Sequence, residues 1–374
     1  MSVAVSSSMR TRINSALRAR LRESAVTTDR TGQPDREAVA ELRASGLLGT
    51  AVPVEHGGEG GSAAEVNRVV EEIATVNPSL AIIAFQHFAV TARISEWGTP
   101  EQRARLLPCL ADGTWLAASA WSEPGAGAAK RRLGSTGTRR ADGSWLLDGN
   151  KSFTTGACLA DLYLVLVRTG AAPTADSGYG AAGQTFFLVA ADNPGIRPRL
   201  GLDLIGMRGS ATGLVSLEQC LVSDADRLGE PGGAQEVIAQ VRESGATLGA
   251  VSVGIAQAAF DLAVRHANRH DLLAVPMFRH RLTELATRLE SARALVDRAG
   301  ARTAPNPGLT TLYSKLHASS AAEEICLDVA RLLGSAGYRA GEALTRLLAD
   351  ARGVALMGPT NDLCRELAAA SWQH

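Results

Sequence analysis

Two short stretches carry residue types from which a site could be built. Ser122-Glu123-Pro124 runs into a loop of small residues, Gly125-Ala126-Gly127-Ala128-Ala129, and Gly149-Asn150-Lys151-Ser152-Phe153-Thr154-Thr155 follows further on. A glycine loop lets backbone amides approach a charged group closely. An aromatic ring beside hydroxyls offers a flat apolar wall with a polar rim. Together they read as a site for a large planar cofactor. Other chemistry is thinly represented. His266, His270 and His280 lie on helix-patterned segments without a carboxylate or cysteine at ligand spacing, which speaks against a metal centre. Gly57-Gly58-Glu59-Gly60-Gly61 lacks the Lys-Ser/Thr and the preceding strand of a phosphate loop, and reads as a turn.

The elements that must hold these residues show in the periodicity. Pro34 and Asp35 open a helix whose apolar positions Ala38, Val39 and Leu42 recur at helical spacing, with Gly46 closing it. Ser62 with Glu65, and Thr99 with Gln102, have capping-box spacing before two more helices, the second with Pro100 in its first turn. From Trp115 the period changes to two. Residues 116–121, 145–148, 162–168 and 185–190 read as strands, with a further one around 213–217, bounded by Asp-Gly and Gly-rich turns. The Ala/Gly-rich stretch 169–183 is expected to be a mobile surface loop. Past Pro231-Gly232-Gly233 the pattern is helical again: a long helix over about 235–269, another over 279–299 with a stripe of Leu282, Leu285, Leu289, Ala292 and Val296, a third over 310–333, and a short last one from Pro359. The fold expected is α+β: an N-terminal helical domain (1–114), a middle antiparallel β domain (115–228) and a C-terminal four-helix bundle (229–374).

Composition narrows the class. A chain of 374 residues, 45% of them hydrophobic, can bury several cores. Lys plus Arg (38) equals Asp plus Glu (38), so no net charge draws it to nucleic acid or to an anionic membrane. The apolar runs are too short to span a bilayer. The five cysteines are widely spaced, with no C-x-x-C pair, which argues against a disulfide framework and for a reducing cytoplasm. The opening residues are rich in Ser and Arg and lack acids until Glu23; a leader into a first amphipathic helix is favoured over an organelle transit peptide.

Several motifs, taken in order, resemble the acyl-CoA dehydrogenase family of flavoproteins over nearly the whole chain. Ser122-Glu123-Pro124 with Gly127 is similar to the family's Thr-Glu-Pro-x-x-Gly-Ser-Asp loop, and Gly149-x-Lys151-x-Phe153-Thr154-Thr155 to its Gly-x-Lys-x-Trp-Ile-Thr step. Gly206-Met207-Arg208-Gly209-Ser210-Ala211-Thr212 is similar to the Gly-x-Arg-x-Ser-x-Thr turn. Leu228-Gly229-Glu230, the run from Gly254 to Ala258, Ser314-Lys315-Leu316, Gly334-Ser335-Ala336-Gly337-Tyr338 and Asp350-Ala351-Arg352 continue the series. The resemblance implies FAD, with Trp121, Ser122, Phe153 and Thr155 supplying wall and hydroxyl contacts to the flavin ring. It also implies that Gly127 lies against the diphosphate, that Arg269 meets a phosphate, and that Gly334 and Gly337 let the adenine half or a neighbouring subunit pack close. Thr360 joins these cofactor-binding residues.

The chain departs from the family where the chemistry should be. Desaturation of an acyl thioester needs a carboxylate to take the α-proton. The family's usual base is the Glu of a Glu-Gly-Thr motif after Arg-Asp-Ala; counted from Asp350, that position is Gly358, followed by Pro359 and Thr360. A minority of the family carries the base near the start of the first bundle helix, and Glu243 in Val241-Arg242-Glu243-Ser244-Gly245 is the candidate here. Counting back from Arg269 lands on Glu243; counting back from Gly254 lands on Ser244. Asp362 and Glu366 rank lower. The expected function is FAD-dependent dehydrogenation of an acyl thioester carried on coenzyme A or an acyl carrier protein, with Glu243 as base. Expected partners are an electron-transfer partner or flavin reductase and further copies of the chain in a homodimer or homotetramer, with neither nucleic acid nor membrane. The missing Glu and the Ala128-Ala129 change leave two rivals: a flavin monooxygenase of the same fold, and a catalytically silent homologue acting as a subunit or carrier-protein binder.

Overall fold

The computed structural model describes residues 12–125, 133–170 and 183–372. Five helices come first: α1 (Ser15–Thr31), α2 (Arg36–Ala44), α3 (Ala63–Ala74), α4 (Pro78–Trp97) and α5 (Pro100–Ala111). Their starts follow from local chemistry. Ser62 and Glu65 form a complete capping box on α3, and Thr99 with Gln102 does the same on α5, satisfying amides that the first turn leaves without a partner.

The middle of the chain is one eight-stranded sheet: β1 (Ala117–Ala120), β2 (Thr136–Arg139), β3 (Trp145–Thr154), β4 (Leu162–Arg168), β5 (Gln184–Ala190), β6 (Ile196–Arg199), β7 (Gly213–Val222) and β8 (Arg227–Leu228). Strand order is β6-β7-β3-β2-β4-β5-β8, largely antiparallel, with β1 joining β4 in parallel. The β4 run of Leu162 to Val167 is apolar throughout because both its faces are covered. Leu162, Leu164 and Leu166 pack toward α4 and α5, while Tyr163, Val165 and Val167 pack into the core on the other face. Strands β3 and β7 run longer than the periodicity suggests, because register shifts after Leu147 and Lys151 break the alternation that marks a strand in sequence.

Six helices finish the chain: α6 (Ala234–Glu243), α7 (Gly249–Arg269), α8 (Pro276–Ala301), α9 (Pro307–Leu333), α10 (Ala343–Leu356) and α11 (Asn361–Ala369). The single helix expected over 235–269 is two, parted at Gly245, whose φ of 82° lies outside the helical range. The stripe from Leu282 to Val296 is buried as its spacing implied. Apolar residues of α1–α4 and of α7–α10 belong to one continuous core, so the first and last helical regions fold against each other. The expected mobile loop falls mostly on residues 171–182, outside the described residues.

Candidate active site

The Ser122-Glu123-Pro124 segment is tied down from beneath. Glu123 and Lys151 form a buried ion pair, Nζ to Oε1 2.6 Å, with the lysine 0% exposed. Lys151 also donates to the Leu166 carbonyl, and Glu123 accepts from the amides of Gly134 (2.6 Å) and Ser135 (3.2 Å). Burial pulls the Lys151 ammonium down to about 8 against the pull of Glu123. Burial works against the Glu123 carboxylate too, but Lys151 and the surrounding donors outweigh it and hold the carboxyl below its ordinary value. Ser122 accepts from the Ser152 amide at 2.9 Å, which sets the end of β1 beside β3. The half-buried Trp121 ring packs on Phe186 with centroids 4.9 Å apart.

Above this base stands Phe153, 64% exposed, with a φ of 52° that costs a non-glycine residue of order 1 kcal/mol. The left-handed step falls in the register shift between Lys151 and Thr154, before β3 pairs with β7 once more at Thr154, and leaves the ring exposed. Next to it, Thr155 Oγ1 lies 3.2 Å from Thr212 Oγ1, itself 2.8 Å from Ser210 Oγ. An outward apolar ring beside a line of hydroxyls fits a flavin ring. Gly127 lies outside the described residues.

The 206–212 turn reaches into the helices. The Met207 amide donates to Asp350 on α10, the Gly209 amide to Ser79 Oγ on α4 at 3.2 Å. A Cβ on Gly206 would fall 2.4 Å from the backbone of Ala349, so this approach requires glycine. Burial raises the Asp350 carboxyl to about 7. Beyond α10, Lys315 of α9 donates to the carbonyls of Met357 (3.0 Å) and Pro359, gripping both sides of Gly358. Burial pulls this second lysine down to about 8. Thr360 caps α11, accepting from the Leu363 amide at 3.3 Å. No carboxylate stands at Gly358. Asp362 pairs with Arg365 on the surface and Glu366 is exposed.

Glu243 is the last residue of α6 and half-buried. Among the described residues its carboxyl makes neither a hydrogen bond nor an ion pair; it lies against Gly308 in the first turn of α9. Neither Arg242 nor Arg265 pairs with it. The helix break after it is pinned by Asn67 of α3, which donates to the Gly245 carbonyl (3.0 Å) and accepts from the Thr247 amide (2.9 Å). Ser314 Oγ meets Thr247 Oγ1 at 2.9 Å. The roles of Asn67 and Lys315 escape sequence reasoning, though each is a polar residue set among apolar ones in a helix.

Three expected cofactor residues lie elsewhere. Arg269 closes α7 on the surface, Gly334 ends α9 with a φ of 59°, and Gly337 follows in the next turn. With about 1.5 Å per helical residue, they stand some 30–40 Å along α7 and α9 from the α6–α7 break. The exposed rings and chains of Tyr338, Leu273, Val275 and Met277 accompany them on these two turns.

Comparison with known proteins bears on this arrangement. Residues 6–114 match the model of the acyl-CoA dehydrogenase N-terminal domain, 118–220 that of the middle domain and 232–372 that of the C-terminal domain. L-prolyl-[peptidyl-carrier protein] dehydrogenase of Pseudomonas fluorescens is 31% identical over 87% of this chain and 87% of its own. Cyclohexane-1-carbonyl-CoA dehydrogenase of Geobacter metallireducens is 31% identical over 94% of this chain and 93% of its own. Among solved structures, an FAD-dependent dehydrogenase superposes with a TM-score of 0.82 at 26% identity, covering 97% of this chain and 99% of that one.

Proposed function

This chain belongs to the acyl-CoA dehydrogenase family, and we propose that in its reaction Glu243 takes the proton α to the thioester carbonyl. The protein is a flavin oxidoreductase that desaturates an acyl thioester between Cα and Cβ with FAD. The relatives favour dehydrogenation over the monooxygenase and the silent subunit.

Bound FAD supplies the acceptor for the hydride that leaves Cβ. The rest is asked of the chain. Trp121, Ser122, Phe153 and Thr155 hold the flavin ring, with the Glu123–Lys151 pair keeping that wall in place. Lys315 fixes the turn carrying Gly358, where the absence of a side chain leaves room for substrate. Glu243 accepts the Cα proton as the Cα–H electron pair becomes the new double bond. The observation that carries this role is its half-buried carboxyl, free of hydrogen bonds and ion pairs among the described residues: a carboxylate committed to a partner is a weaker base. Glu243→Gln should abolish anaerobic bleaching of the flavin by an acyl thioester while flavin stays bound. Unchanged bleaching removes Glu243 from the mechanism.

Three finer readings go with this one. The acyl group arrives on coenzyme A or on a carrier protein, as the two relatives' activities suggest, and electrons leave to an electron-transferring flavoprotein or comparable partner. Arg269, Gly334 and Gly337, remote from Glu243 in one chain, serve the cofactor of a neighbouring copy in a homodimer or homotetramer, whose contacts cover Tyr338 and Met277. The absence of disulfides among the five cysteines supports a cytoplasmic setting; among the described residues no helix is long and apolar enough to cross a membrane.

A further inference from the structure

Gly308 is the second residue of α9, buried, and its backbone is not in the left-handed region that favours glycine. Alanine is the better helix former, so the backbone gives no reason for a glycine here. The neighbours do. A Cβ built on Gly308 would fall 2.1 Å from Glu243 Oε1, 2.9 Å from its Cδ and 3.4 Å from Oε2, and these are the three atoms nearest to it. The missing methyl group is the space in which the carboxyl stands.

We propose that Gly308 is a positioning residue for Glu243, holding the carboxyl at the α6–α7 break by leaving it room against α9. The proposal rests on reading Glu243 as the base. Two further contacts make the seat rigid. Asn67 grips the backbone just beyond Glu243 on both sides of Ala246, and Ser314, on the same helix as Gly308, bonds to Thr247. With α6, the break and α9 held to one another, the carboxyl stands against α9 at Gly308. A methyl group at position 308 would push it out of this seat by about 1.4 Å, since the nearest oxygen would have to withdraw from 2.1 Å to an ordinary separation of about 3.5 Å. The displaced atoms are the end of a flexible side chain, so the chain should fold around the change. A reacting group moved by about 1 Å loses on the order of 100-fold in rate.

The test uses the FAD-loaded protein and whichever of butyryl-CoA, cyclohexanecarbonyl-CoA or an L-prolyl carrier protein bleaches the wild type fastest. Gly308→Ala should retain flavin and bleach about 100-fold more slowly at saturating substrate, with the half-saturating concentration little changed. On a Glu243→Ala background, where bleaching is already lost, the same change is read by thermal unfolding. Thermal unfolding gives a second reading that does not depend on turnover. Gly308→Ala should raise Tm when Glu243 is truncated and raise it less, or lower it, when Glu243 is present. Wild-type bleaching by Gly308→Ala, or Tm changes that simply add, overturns the proposal, as does failure of the alanine variant to fold on both backgrounds. If instead Glu243→Ala bleaches normally, the base assignment falls, while the Tm coupling still reports whether the carboxyl occupies the space at Gly308.

Discussion

Replacing Lys151 by methionine tests the base of the flavin wall. Methionine keeps most of the length and apolar stem but leaves the Glu123 carboxylate buried without its cation, retaining only the Gly134 and Ser135 amides. Breaking a buried pair from one side costs about 3–5 kcal/mol, because the surviving charge stays desolvated. Removing both charges in Glu123→Gln/Lys151→Met should cost far less, within about 1–2 kcal/mol of wild type, the residue being the Leu166 carbonyl left without its donor. The pH dependence carries a sign. In the wild type the Glu123 pKa is lowered, so its contribution is present above the ordinary carboxylate range and fades as pH falls. In Lys151→Met burial acts on Glu123 against the Gly134 and Ser135 donors only, so its pKa lies above the wild-type position; the protonated form is then favoured, and stability is lost as pH rises. The gap between the two proteins should therefore narrow as pH falls from 8 to 5. Urea unfolding followed by tryptophan fluorescence, with flavin release in parallel, measures it. A gap that does not vary with pH, or a double variant that falls by the sum of the singles, refutes the account.

Two other perturbations follow from the same geometry. Asp350 is raised to about 7 by burial, so its contribution is full below the ordinary value of 3.8 and is lost as pH rises from there through 7; Asp350→Asn should flatten the fall in Tm between about pH 4.5 and 7, and an unchanged slope would place the titration elsewhere. Phe153→Gly should relieve the left-handed backbone and stabilise the flavin-free protein by about 1 kcal/mol while flavin dissociates more readily, read by Tm and by fluorescence of released flavin; a loss of stability without loss of flavin would make the ring a packing residue.

Much of the scaffold is legible because its signals are local. The boxes at Ser62 and Thr99 involve residues three apart, and each forms as its spacing implies. The apolar run of β4 marks a strand covered on both faces. What escaped depends on atoms far apart in the chain. Gly308 looks like an ordinary glycine after Pro307 until Glu243 is beside it, and Lys315 looks solvated until the carbonyls of Met357 and Pro359 close over its ammonium. Neither partner can be found by counting along the chain. Helix α10 carries no capping signal in the sequence, since its N-cap Glu342 makes no side-chain cap hydrogen bond.

The two counts that end on Glu243 and on Ser244 disagree for the same reason. One residue on a helix is about 100° of rotation, so counting back from Arg269 or from Gly254 predicts a direction only if the helix is continuous to that point. It is not. The chain leaves helical geometry at Gly245 and resumes at Gly249, and Asn67 holds the gap open by taking the two backbone groups on either side of Ala246. Rotational phase is lost across that gap, so neither count can decide which side chain faces where. On the near side of the break Ser244 turns its hydroxyl back onto the Val241 carbonyl at 2.8 Å, while the Glu243 side chain extends to α9. The base role proposed for Glu243 asks for a carboxylate with a seat of its own away from the Gly358 turn, and an interrupted helix with a glycine opposite it has the geometry of such a seat.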